Sequence, residues 1–257
     1  MRPTRTPLDR HFNLPAIARI QTERPFVWLQ AGWRDLRANP IASLAYGLLF
    51  AMAGDFILLF AWQRPQLFTA AIAGFFLVAP LLAAGLYEIS RRQAVGRAST
   101  FIDSLAGWRR NGQSIALFGL LLALIGIAWE RLSAILFALL AEDLAPDLSA
   151  FAASVLCSED YRALLITWFI VGGSLALLVF AISAVSVPML VDRDCDFLTA
   201  VMTSLRAVST NLEVMVLWAA LIVSLTLVGF ATLLFGLVIL MPLIGHASWH
   251  AYRDLVK

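Results

Sequence analysis

An aspartate set in an apolar run, two histidines one helical turn apart and three prolines at matching places are the residues of this chain with chemistry to offer. Asp55 lies inside the run Ile41 to Ala61. An ionised carboxylate within a spanning helix costs about 2.5–3.5 kcal/mol even on a lenient insertion scale, so it calls for a partner or a role in moving charge. By helical rise it sits about 21 Å along its run and Arg131 about 27 Å along another. The two are expected to form an intramembrane ion pair, with a proton or ion pathway as the functional alternative, and Glu130 marks the exit of the second helix.

His246 and His250 stand at i and i+4, so both rings share one helix face in a spacing used by metal or haem ligands. The only other histidine is His11, and no Cys-x-x-Cys or His-Glu-x-x-His run supplies further ligands. No metal or cofactor is expected, and hydrogen bonds from the imidazoles to neighbouring helices are the favoured reading. Pro80, Pro188 and Pro242 each free a backbone carbonyl and invite a helix kink, a device of gates and of packing junctions alike. Cys157 falls in an acidic loop and Cys195 in a loop on the opposite side, so they are not expected to bond to each other. Phosphate-binding glycine loops, nucleophile elbows and basic nucleic-acid surfaces are missing from the sequence, so neither an enzyme nor a nucleic-acid partner is expected.

The elements that hold these residues are membrane helices. Hydrophobic residues make up 61% of the chain and charged ones 14%, with a mean hydropathy of +0.83, far from a soluble domain. A spanning helix needs roughly 20 apolar residues. Four crossings read directly, at about Ile41–Ala61, Leu67–Tyr87, Ser114–Phe137 and Leu164–Leu190. The last block, Val214 to Ile244, has 31 residues, about 46 Å of helix, long for one crossing and short for two.

An internal repeat resolves it. An amphipathic stretch ending in Arg, an apolar run, and a second apolar run holding one proline recur three times: Phe26…Gly32-Trp33-Arg34…Asn39 with Pro80, Phe101…Gly107-Trp108-Arg109…Asn111 with Pro188, and Leu198…Leu205-Arg206…Asn211 with Pro242. The predicted fold is an all-α polytopic transmembrane bundle of six spanning helices in three helix-hairpin repeats, units 25–99, 100–195 and 196–257, with five crossings as the alternative. The third unit then turns near Gly229, between helices of about Leu212–Val228 and Ala231–Tyr252. Residues 1–24 read as a flexible cytoplasmic terminus ahead of one integral membrane domain, 25–257.

Six crossings place sixteen of the nineteen basic residues on one side, which the positive-inside rule makes cytoplasmic together with both termini. Five would reduce the bias to fourteen. The opening forty residues hold five prolines and no short apolar core with a cleavage site, so no secretory signal is read there, and a bacterial inner membrane is the expected location. Phe26, Leu29, Trp33 and Leu36 recur at helical spacing with Arg34, Asp35 and Arg37 between them, the pattern of a helix lying in the membrane interface. Trp33, Arg34, Trp108, Arg109, Arg206, Trp249 and Arg253 are the expected interfacial anchors. Thr100 with Asp103, and Asp196, are expected to cap two of the amphipathic helices.

The run Gly-Trp-Arg-Asp-Leu-Arg-Ala-Asn-Pro at 32–40, the stretch Gly85-Leu86-Tyr87-Glu88-Ile89-Ser90-Arg91-Arg92 and the segment Gly245 to Arg253 resemble the bacterial membrane proteins grouped as domain of unknown function 2189, from about Pro25 onward. The resemblance implies a polytopic inner-membrane protein without an established activity. Some relatives bear the label cytochrome c oxidase subunit I. A haem-copper core requires six histidine ligands and this chain has three, so the label is rejected as a catalytic assignment. The expected function is a non-enzymatic scaffold or accessory subunit in contact with the bilayer and with a membrane protein partner or a second copy. The alternative is a small-solute or proton-coupled transporter with a cavity between the hairpins.

Overall fold

The computed structural model describes residues 14–62, 79–140 and 162–257. The fold is all-helical, and its helices run in the order α1 (Arg24–Ala38), α2 (Pro40–Trp62), α3 (Ala84–Ala94), α4 (Phe101–Ser104), α5 (Ala106–Arg110), α6 (Gly112–Leu140), α7 (Arg162–Ser183), α8 (Ser186–Asp192), α9 (Phe197–Thr210), α10 (Leu212–Ala231) and α11 (Leu237–Leu255). Among the described residues four stretches are long and apolar enough to cross a membrane: Pro40–Ile57, Gly112–Leu136, Arg162–Asp192 and Leu212–Ala231. Most of the expected crossing Leu67–Tyr87, and Cys157 with it, lies outside the described residues. α11 is not among the four, because its second half carries His246, His250, Arg253 and Asp254.

The chain divides into two compact units, one of Met1–Ala51, Pro80–Phe118 and Phe180–Lys257, the other of Met52–Ala79 and Gly119–Val179. In the second unit Trp129 and Trp168 pack with ring centroids 5.2 Å apart. Trp168 donates its indole N–H to Ser133 Oγ at 2.9 Å, and Gly172 permits the approach, since a Cβ there would lie 2.8 Å from the Trp129 ring.

In the first unit α3, α8 and α11 pack against one another, and the amphipathic helices pack on them, α1 on α11, α5 on α3 and α9 on α8. A small residue makes each approach. A Cβ on Gly32 would lie 2.7 Å from the Ala247 backbone and one on Gly107 2.8 Å from the Ala84 carbonyl. Ser204, in the matching place on α9, donates to the Ala181 carbonyl at 2.7 Å and accepts from the Val185 N–H at 3.1 Å. That second bond caps the break between α7 and α8, three residues ahead of Pro188, which has no N–H to continue the ladder. α11 continues through Pro242 without interruption, and Pro80 sits in a helical stretch, 79–82, that ends in a turn at Ala83.

Local signals set the helix ends. Thr100 and Asp103 form a full capping box and Asp196 accepts the Thr199 N–H, each satisfying a donor that a helix start leaves open. The turn between α10 and α11 is not at Gly229. Leu233 and Leu234 make it, with φ of 52° and 67°, and the Thr232 hydroxyl bonds the Gly229 carbonyl and the Gly236 N–H. Gly229 instead lies under Leu237, whose side chain its Cβ would strike. The glycine serves close packing, and the left-handed turn falls on leucines.

Within the N-terminal stretch, residues 16–18 are bonded to the end of the chain. Ile17 bridges Val256, the Ala18 N–H donates to the Leu255 carbonyl at 2.9 Å and the Lys257 N–H to the Ala16 carbonyl at 3.0 Å. Residues 16–18 and 255–257 therefore share one surface of the first unit.

Candidate functional site

Four elements converge on His246. α11 approaches α3 at Gly245, where a Cβ would lie 2.5 Å from the Leu86 side chain, and the histidine one step further is enclosed completely, at 0% exposure. A buried imidazole needs partners on both nitrogens. His246 Nε2 lies 2.9 Å from Ser43 Oγ on α2 and Nδ1 2.8 Å from Ser90 Oγ on α3. The Ser90 hydroxyl is 2.6 Å from Asp35 Oδ2 on α1, which also lies 2.9 Å from His250 Nε2. Ser43 in turn donates to the Asn39 carbonyl at 2.8 Å. The result is one hydrogen-bonded chain, His250–Asp35–Ser90–His246–Ser43–Asn39, with only the His250 end substantially open to solvent, its side chain 29% exposed.

Asp35 supplies the charge. Its burial acts to raise the carboxyl pKa, but the hydrogen bonds from His250 and Ser90, with the two imidazoles, outweigh that and hold it below the ordinary carboxylate value. Serine, histidine and aspartate are also the ingredients of a hydrolytic triad. Here Ser90 stands between imidazole and carboxylate, and His246 is sealed, so a substrate carbonyl has no route to either serine.

Charged side chains around this chain are paired locally. Glu88 on α3, 1% exposed, accepts from Arg91 Nε and Nη2 at 2.7 and 2.8 Å, with Arg110 Nε at 3.6 Å. Asp192 accepts from the Tyr252 hydroxyl at 2.8 Å and from Arg253 at 3.1 Å, and Arg193 donates to that hydroxyl at 2.9 Å. Asp254 binds Arg24 and the Trp28 indole N–H, the latter at 2.6 Å. Cys195 lies half-buried beside Asn111 and Ser114, which both donate to its carbonyl, and burial with the nearby Asp196 pushes its thiol up to about 11.

Three asparagines, each at the joint between an amphipathic helix and the helix that follows, hold the chain in a recurring way. Asn39 accepts the Ser99 N–H at 3.1 Å. Asn111 donates to the Cys195 carbonyl at 2.6 Å. Asn211 accepts the Ile20 N–H at 3.0 Å and donates to the Ala18 carbonyl at 2.9 Å. Each side-chain amide thus ties down the strand of backbone leading into another amphipathic helix, α4, α9 and α1 respectively.

Asp55 and Arg131 are not brought together: Arg131 Nε lies 3.1 Å from its neighbour Glu130, the shorter reach, and Asp55 is exposed on α2. His246 and His250 meet the serines and Asp35; among the described residues no group of three His, Cys, Asp or Glu is disposed to hold a metal ion. Trp33 and Trp108 are exposed, 37% and 39%, beside exposed Arg34 and Arg109, and Arg37 lies over the Trp33 ring. Arg206 is half-buried and Arg253 is exposed with Asp192 as its partner. Trp249 is not an anchor: it is buried against Tyr252, ring centroids 5.5 Å apart. Sequence reasoning assigned Asp35 to the polar face of α1 and passed over Ser43 and Ser90, whose one signal is a hydroxyl at the end of an apolar helix.

No curated protein and no solved structure matches the chain. A family model described as predicted integral membrane protein (DUF2189) matches residues 67–192, a narrower span than the motif resemblance, including Ser90 but neither Asp35 nor the two histidines. That match, over residues 67–192, supports the resemblance and assigns this part of the chain to the DUF2189 family of predicted integral membrane proteins.

Proposed function

We propose that the chain is a non-enzymatic scaffold or accessory subunit of a bacterial inner-membrane assembly, built from three hairpin units with six crossings and both termini in the cytoplasm. The observation that carries the reading is the meeting of α3, α8 and α11. It is filled by Leu86, Ile89, Val187 and Leu190, all 0% exposed, side chains suited to holding helices together rather than to passing a solute. The bonds between residues 16–18 and 255–257 support an even number of crossings between them, because segments bonded to each other lie on one side of a membrane, and so favour six over five. The asparagine ties and the small-residue contacts support the repeat, since each amphipathic helix leans on the second helix of another unit. The basic surplus on that surface supports its cytoplasmic placement. A reporter active on only one side, fused after Lys257, is expected to read cytoplasmic; a periplasmic signal would remove the six-crossing arrangement.

The functional test is flux. Purified protein in liposomes with a trapped pH indicator is expected to pass no more protons than empty vesicles under an imposed gradient. Proton entry abolished by Asp55→Asn would replace the scaffold reading with the transporter, for which an exposed carboxylate inside α2 is the favouring observation.

A further inference from the structure

The buried chain of hydrogen bonds is one proton short. With Asp35 ionised and both imidazoles neutral, five contacts need a proton each: His250 with Asp35, Ser90 with Asp35, His246 with Ser90, His246 with Ser43, and Ser43 with the Asn39 carbonyl. His250 Nε2–H serves the first. The remaining four share three protons, one from each hydroxyl and one from neutral His246. Whichever tautomer His246 adopts, one contact is left as acceptor facing acceptor. A fourth proton, giving an imidazolium at His246, completes all of them with no heavy atom moved: both ring nitrogens donate, Ser43 is free to donate to Asn39 and Ser90 to Asp35.

We infer that Asp35, Ser90, His246 and Ser43 form a buried site that binds one proton, with His250 as its exchange group at the surface. This goes beyond the scaffold reading and stands without it. The proton enters by hops that balance. His250 takes a proton from water at Nδ1 and passes its Nε2 proton to Asp35 Oδ2. Asp35 then gives that proton to Ser90 Oγ as Ser90 gives its own to His246 Nδ1, leaving Asp35 ionised, Ser90 neutral and His246 cationic. The carboxylate one hydroxyl away is the counter-charge that opposes the penalty of burying the imidazolium.

The other charges on the packed elements are occupied. On α3, Glu88 is paired with Arg91, and on α8, Asp192 with Arg253 of α11. Asp254 at the end of α11 is paired with Arg24 of α1. Arg34 and Arg37 on α1 and Glu213 at the start of α10 are exposed, and α2 carries no charged residue before Asp55. Asp35 and His250 are therefore the charges that act on His246 directly. Loading the site binds the interfacial helix α1, the spanning helix α2, α3 and α11 into one fully bonded cluster. Acidification is a signal these four helices can register together.

The full chain has three histidines, so nitrogen-15 labelling of histidine gives three imidazoles, assigned by His250→Gln and His11→Gln. In nanodiscs between pH 8 and 3, His246 is expected to pass from one protonated ring nitrogen to two, and Ser90→Ala is expected to weaken its proton affinity at least tenfold. Asp35→Asn should do the same by removing the counter-charge. A wild-type His246 that keeps a single tautomer to pH 3 would overturn the proposal, with no variant required. So would a titration unmoved by Ser90→Ala in protein that remains monodisperse.

Discussion

Gly47→Val should abolish recovery of a monodisperse protein from membranes. α2 and α11 cross there backbone to backbone: a Cβ on Gly47 would lie 1.9 Å from the Val238 carbonyl oxygen and 2.6 Å from its carbon. No rotamer change relieves a clash with main chain, so the helices would have to separate. Overpacking costs about 1–3 kcal/mol where side chains can yield, and more is expected here, out of a total stability of about 5–15 kcal/mol for a typical domain. The contact has a second source. Pro242 lacks an N–H, which leaves the Val238 carbonyl without its helical partner, and the glycine lets α2 cover it. Inside a bilayer apolar burial does little to drive helices together, because lipid is as apolar as leucine, and close approach at small residues does more. Gly173 of α7 provides the control: its Cβ would meet nothing within 4 Å, so Gly173→Val should elute as wild type. Size-exclusion profiles and thermal midpoints of the two variants in one detergent decide it, and equal behaviour would remove the α2–α11 crossing from the account.

Arg91→Ala is expected to cost about 3 kcal/mol, the lower end of what breaking a buried pair entails. Glu88 is 1% exposed and its bidentate partner Arg91 21%. Without Arg91 the carboxylate keeps only Arg110 at 3.6 Å, itself nearly half exposed, and a buried charge without close hydrogen-bonded compensation is among the costliest features a core can hold. The partial exposure of Arg91 and the remaining Arg110 set the figure at the low end. The effect belongs to the stranded charge rather than to lost attraction, so Glu88→Leu added to Arg91→Ala should restore most of the stability, since replacing both partners by apolar groups is often neutral. A double variant no more stable than Arg91→Ala alone would refute that explanation. Thermal unfolding of the purified proteins, read by tryptophan fluorescence, makes the comparison.

Hydropathy and local signals were enough to read the class of the molecule and most of its helices. Roughly 20-residue apolar runs have no stable alternative in hydrocarbon, where every backbone group must be bonded internally, so α2, α6 and α7 were legible from hydropathy alone, and α10 once the repeat divided the last apolar block. The helix starts at Phe101 and Phe197 were legible too, because a capping side chain acts within three residues of its own position. Periodicity gave α1 its helical form and its exposed Phe26 and Trp33, yet the face carrying Trp28, Gly32 and Asp35, which points inward, stayed hidden behind a simpler amphipathic pattern. The position of the last hairpin was missed for a similar reason: Gly229 looked like the turn, whereas its role is to admit Leu237.

Only the tertiary structure decided what the polar residues do. Asp55 and Arg131 matched in estimated depth and did not meet, because depth along two helices says nothing of the direction each side chain faces around its own. His246 found Ser43 at a separation of 203 residues and Ser90 at 156, and Asp35 found His250 at 215. A hydroxyl or carboxylate becomes a buried partner only when helices distant in sequence close over it, and that closure is set by where glycines allow backbones to touch.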